Sequence, residues 1–242
     1  MSVYKLELEK ASIVIKKETI VYDIPNGTTF GFSNFSNIED LKKVIPYVNN
    51  GIYPSRLFTY ATFPKDINGI EFKIYNGRSA FANLNNYTTG KSGNIIINCE
   101  RVDENDTMQW ILNGCFLDTV TFKNTGHIKR FNNITGVVNN VYIPDKIYGL
   151  DVSNCIYLEL YTNYSSSYCE IYIENFGKHP DFTNFDYQIV INPIKCIVYS
   201  IVDNSFDRAA AGYKPCIVKT YQSSKLTDEQ IAKATSKGYT LT

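Results

Sequence analysis

A chain of 242 residues, 44% of them hydrophobic, is long and apolar enough to bury a large core, which excludes a disordered polymer. Lys plus Arg and Asp plus Glu number 24 each, so no whole-chain field draws it toward nucleic acid or an anionic membrane. With 19 Tyr and an abundance of Asn, against 2 Met and 1 Trp, the composition favours short strands joined by tight turns.

In chain order, the opening MSVYKLELEKASIVIKKETIVYD carries charges too often for the apolar core of a signal peptide or for a membrane span, which predicts synthesis in a cytosol and no membrane insertion. Its alternation of Tyr4, Leu6 and Leu8 with Val3, Lys5 and Glu7 predicts strands up to the turn Pro25-Asn26-Gly27. Ser36 and Glu39 stand at capping-box spacing ahead of Ile38, Leu41, Val44 and Ile45, which predicts a short helix stopped by Pro46 and covering an open sheet end. From about residue 68, short β segments centred near 73, 96, 121, 142, 172 and 190 follow one another at a spacing mostly in the low twenties. That period suits one strand per repeat, with either a further strand at Leu158-Glu159-Leu160 or an insertion loop in the longer gap. Near the end, Thr227 and Gln230 form a capping box, Asp228 and Glu229 sit in the first turn, and Lys237 and Gly238 close a helix, after which Tyr239 to Thr242 can add a strand.

Two stretches carry a family likeness. In MQWILNGCFLDTVTFKN (Met108 to Asn124) a short apolar segment ends in Asn-Gly-Cys ahead of a strand, and LDVSNCIYLELY (Leu150 to Tyr161) has a similar cadence. Over roughly residues 70 to 200 this resembles BspA-type leucine-rich repeats, although Ile, Val and Tyr stand where Leu is usual. The resemblance implies a mainly β, irregular right-handed solenoid, with Asn98, Cys99, Asn113, Cys115, Asn154 and Cys155 as an internal ladder. It divides the chain into a β-rich attachment or capping region (1–66), the repeat region (67–200) and a C-terminal capping region (201–242). The ending, Leu-Thr-x-Glu with a later Ala and Gly-Tyr, is similar to that of repeat proteins encoded by phages and bacteria of the Bacteroides group.

Chemistry is harder to find. The six cysteines include no CxxC pair, and His127 and His179 have no Cys or carboxylate at ligand spacing, so no metal site is expected. No nucleophile elbow or phosphate loop is present, and no catalytic or cofactor-binding residue is assigned. Carboxylates on neighbouring repeats could cleave a glycan, but Asp103, Glu104 and Asp106 read as a solvated loop. Tyr157, Tyr161, Tyr164 and Tyr168, crowded around three serines, form a candidate contact surface, because Tyr with Ser combines rigid area with adaptable hydrogen bonding.

The expected function is that of a non-enzymatic structural or adhesive component of a tailed-phage virion. Its partners would be other virion proteins or a host-surface receptor or glycan, and it would join a homo-oligomer or larger assembly. The alternatives are a BspA-like bacterial surface adhesin and a polysaccharide-cleaving spike.

Overall fold

The computed structural model describes residues 3–8, 11–16, 19–20, 30–31, 33–52, 55–82, 85–86, 93–132, 134, 144–162, 169–189, 194–220 and 226–242. The first three strands, β1 (Val3–Leu8), β2 (Ala11–Lys16) and β3 (Thr19–Ile20), form an antiparallel sheet in chain order. In its backbone register Leu6 pairs with Ile13, Tyr4 with Ile15, and Ile15 with Ile20. The predicted turn at Pro25-Asn26-Gly27 and the segment near 142 lie outside the described residues.

Helix α1 (Ile38–Asn50) is capped by Asn37, whose side chain accepts from the Asp40 amide, rather than by Ser36. Pro46 lies inside the helix and does not end it. The helix continues because Val48 is buried, and its C-terminal carbonyls of Val48, Asn49 and Gly51 accept from the Arg101 guanidinium, at 2.6 Å for Gly51. A cation at the negative end of the helix offsets the loss of one internal hydrogen bond. Asn49 also accepts from the Lys73 amide at 2.8 Å, which ties α1 to the edge of β5 (Ile70–Lys73).

A two-stranded parallel sheet joins β4 (Thr62–Phe63) to β6 (Asn85–Asn86). Beyond it the chain alternates between two larger sheets. β5, β7 (Asn94–Asn98), β9 (Thr119–Lys123), β11 (Lys146–Asp151) and β13 (Glu170–Glu174) form a five-stranded parallel sheet. β8 (Thr107–Gln109), β10 (Arg130–Asn132), β12 (Tyr157–Thr162), β14 (Asn184–Ile189), β15 (Cys216–Thr220) and β16 (Tyr239–Leu241) form a six-stranded one, also parallel. Between β13 and the end lie the one-turn helix α2 (Ile194–Ile197), a π-helical turn at Val198–Asp203 and helix α3 (Asp228–Ser236). The Thr227–Gln230 capping box of α3 is present in both directions.

This overturns the expected fold class. The chain is an α/β fold with parallel sheets of five and six strands and three helices among the described residues, not a mainly β, leucine-rich-repeat-like solenoid. A repeat of one strand and an irregular return would build one sheet. Here the supposed return segments contain strands of their own and build a second. The segments near 73, 96, 121 and 172 all lie in the five-stranded sheet, the first three as neighbours and the last separated from them by β11, whereas the segment near 190 and Leu158-Glu159-Leu160 belong to the six-stranded one.

Period-two alternation explains the packing. Ile95 and Ile97 of β7, Val120 and Phe122 of β9, and Ile171 and Ile173 of β13 point inward from one sheet; Met108, Phe131, Leu158 and Val218 do so from the other. All belong to one hydrophobic cluster. Each such side chain stabilises the fold by about 1.5–3 kcal/mol relative to exposure.

Candidate contact surface

The outward positions of the five-stranded sheet form a row. Glu71 pairs in register with Ile96, Ile96 with Thr121, and Thr121 with Tyr148. β11 then carries a bulge: Ile147 pairs with Ile171 and Leu150 with Ile173, so Tyr148 and Gly149 together face the single residue Tyr172. Gly149 has φ +66, and a Cβ there would lie 2.4 Å from the Phe122 carbonyl oxygen, so only glycine fits. With the bulge in place, the Tyr148 and Tyr172 rings stack at 4.8 Å with an interplanar angle of 15°. Tyr199, carried by the π-helical turn, packs edge-on against Tyr172 at 5.3 Å.

Charge is held close to these rings. The Tyr172 hydroxyl donates to Glu170 at 2.9 Å, and Glu170 also lies 3.2 Å from the Lys195 ammonium and 3.7 Å from that of Lys146. The hydrogen bond to Glu170 favours the neutral phenol and holds the Tyr172 pKa above its ordinary value. At the far end of the row Glu71 accepts from Lys123 at 2.8 Å and from Asn98 at 2.7 Å, and these bonds hold its carboxyl below the usual carboxylate range.

Of the tyrosines singled out in the sequence, Tyr157 is half-buried with its hydroxyl 3.3 Å from Glu159, and Tyr161 lies in β12 on the other sheet. Tyr164 and Tyr168 lie outside the described residues. The cluster that does form was missed, although Ile147-Tyr148 and Ile171-Tyr172 repeat one dipeptide at like positions in β11 and β13.

The six expected ladder residues do not stand in one file. Cys99 follows β7, Cys115 precedes β9, and Cys155 precedes β12. The Asn98 side chain accepts from Asn124 at 2.9 Å, while Asn154 donates to the His127 carbonyl at 3.1 Å and the buried Asn113 Oδ1 finds no hydrogen-bond partner among the described residues. Asn124 and Asn175, both at positive φ and followed by x-Gly, are the asparagines the sequence reading passed over. Cys115 donates to the Phe81 carbonyl at 2.7 Å and Cys155 to that of Tyr157 at 3.0 Å.

All six cysteines are buried, and none forms a disulfide among the described residues. Burial pushes the Cys99 pKa far up and those of Cys155 and Cys216 up to about 12. The native protein is therefore expected to resist a thiol reagent such as DTNB at pH 8, reacting fully only in denaturant; rapid native labelling of Cys99 or Cys155 contradicts this packing. Because the folded pKa values lie above the unfolded ones, the thiol contribution is intact below about pH 9 and is lost as pH rises further. Denaturation midpoints should fall above that point.

His127 Nε2 lies 2.8 Å from the Val102 carbonyl oxygen, and His179 Nδ1 accepts from the Asp181 amide. Among the described residues no group of three His, Cys, Asp or Glu could hold a metal ion, and no helix is long and apolar enough to cross a membrane. Comparison of the chain with protein-family models, curated proteins and solved structures finds no match.

Proposed function

We propose that this chain is a non-enzymatic contact protein that presents the Tyr148–Tyr172–Tyr199 cluster to another surface. The observation that carries this reading is the convergence of two backbone irregularities on one spot. The Gly149 bulge aligns Tyr148 with Tyr172, and the π-helical turn brings Tyr199 to the same ring. Bulges and π turns cost regular hydrogen bonding and recur where a side chain has to be re-aimed. Rigid tyrosines on a sheet offer contact area at little entropic cost. The proposed setting is a tailed-phage virion, with host-surface receptor or other virion proteins as partners and a bacterial surface as the alternative; this part rests on the sequence resemblance.

The test is adhesion of the fluorescently labelled full chain to a panel of intact bacterial cells. The wild type is expected to bind at least one strain, and a Tyr148→Ala/Tyr172→Ala variant to lose most of that binding while keeping its far-UV circular dichroism. No adhesion to any strain, or equal adhesion by the variant, overturns the reading.

A further inference from the structure

Resting on that contact reading, the geometry points to a specific ligand class: an uncharged pyranose of a surface glycan, seated over Thr121 and stacked on the face of Tyr148. The 4.8 Å separation of the Tyr148 and Tyr172 rings equals the spacing of neighbouring strands, so both rings stand upright on the sheet, face to face across the β11–β13 boundary. One face of Tyr148 is thus spent on Tyr172. The other is turned toward Thr121, its register partner on β9, and beyond Thr121 comes Ile96 on β7. Both are half-buried, and neither is an aromatic ring. The row therefore drops by a step after Tyr148, and the next rung of the stack, about 4.8 Å on, is where a flat ring fits.

The surroundings of that step choose among flat rings. An aromatic side chain gains from apolar walls, but here the rim is a threonine hydroxyl, the Glu71–Lys123–Asn98 group and Lys146. A ring with one apolar face and a fringe of hydroxyls matches an aromatic face surrounded by donors and acceptors. Charge disfavours a polyanion: along the outward positions of the sheet Glu71, Asp151, Glu170 and Glu174 balance Lys73, Lys123, Lys146 and, from α2, Lys195, and the ion pairs of Glu71 and Glu170 close at 2.8, 3.2 and 3.7 Å. A face so neutralised has no net attraction for phosphate or sulfate and is complementary to an uncharged ligand.

The probe is a printed array of uncharged gluco-, galacto-, manno- and N-acetylglucosamine oligosaccharides beside sulfated, uronic and sialylated ones, read with the full chain. Retention on at least one uncharged glycan is expected, with Tyr148→Ala weakening it about tenfold and Tyr148→Phe keeping it, since the ring face does the binding. Thr121→Tyr extends the stack by one ring into the ligand's place and should abolish binding without touching Tyr148. Gly149→Ala should act like Tyr148→Ala, but it can also unfold β11, so the Thr121→Tyr result decides. Retention on anionic glycans alone, on none, or equally by Tyr148→Ala or Thr121→Tyr overturns the assignment. Failure of the ligand class is separable from failure of the contact reading. Adhesion to cells that depends on Tyr148 and Tyr172, survives periodate and is destroyed by protease retains the contact role and refutes the glycan. Adhesion indifferent to both tyrosines refutes the contact role itself.

Discussion

Arg208→Ala is expected to lower the free energy of unfolding by about 3–5 kcal/mol, measured by guanidinium denaturation at constant m. Arg208 is the largest fully buried side chain of the described residues, at 0% exposure. Its Nη1 donates to the carbonyls of Gly177 at 2.6 Å and His179 at 2.8 Å, its Nη2 to those of Pro180 at 3.0 Å and Lys214 at 2.9 Å, and its Nε again to Lys214 at 3.0 Å. Four backbone carbonyls thus solvate one buried cation, and the Tyr213 ring lies 5.5 Å from it. Truncation strands those carbonyls, each costing about 1–3 kcal/mol where no water reaches it. The loop 177–180 would also lose its tie to the turn at 208–214, next to Tyr239, whose hydroxyl lies within 2.8 Å of the Phe206 carbonyl and 3.1 Å of that of Phe176. Arg208→Lys should recover less than half of the loss, because one ammonium cannot span the planar fork. An Ala variant within 1 kcal/mol of wild type would mean that water replaces the guanidinium.

Arg208 also shows where sequence reading stops. An arginine in a polar stretch reads as surface, and nothing local announces that four carbonyls converge on it. The strands that were legible are those whose inward residues alternate, such as Ile95 and Ile97 or Val120 and Phe122. β8 and β10 were not, because each has three residues and buries one large side chain, Met108 or Phe131, between polar neighbours. Missing them turned two sheets into one and produced the wrong fold class. The capping box of α3 was readable because its bonds are local, between Thr227 and Gln230. The end of α1 was not, since a residue far along the chain, Arg101, holds its carbonyls past Pro46. The same reason hid the tyrosine cluster: its members come from two strands and a π turn, and only the bulge at Gly149 sets the register that stacks them.

Phe58→Ala is expected to cost about 3–5 kcal/mol, and Phe58→Leu about 1–1.5 kcal/mol. Phe58 is fully buried at the centre of five other rings. It stacks on Phe30 and Phe81, each at 5.5 Å, and meets Phe63, Phe72 and Phe35 edge-on at 5.1, 5.3 and 6.2 Å. Removing the ring leaves a cavity whose walls are themselves rings fixed by stacking, so collapse is limited and the edge-to-face contacts are lost with the transfer energy. Backbone bonds place the damage: Phe58 donates its amide to Ala80 at 2.6 Å and Phe81 to Ile111 at 3.1 Å, so the loosened turn is the one on which the next turns are laid. Amide hydrogen exchange should therefore rise most in 57–61 and 79–82 and least in β15 and α3, because stability is not uniform along the chain. A loss spread evenly over all strands, or an Ala variant within 1 kcal/mol of wild type, would show that the phenylalanine cluster is not a local keystone of this end of the fold.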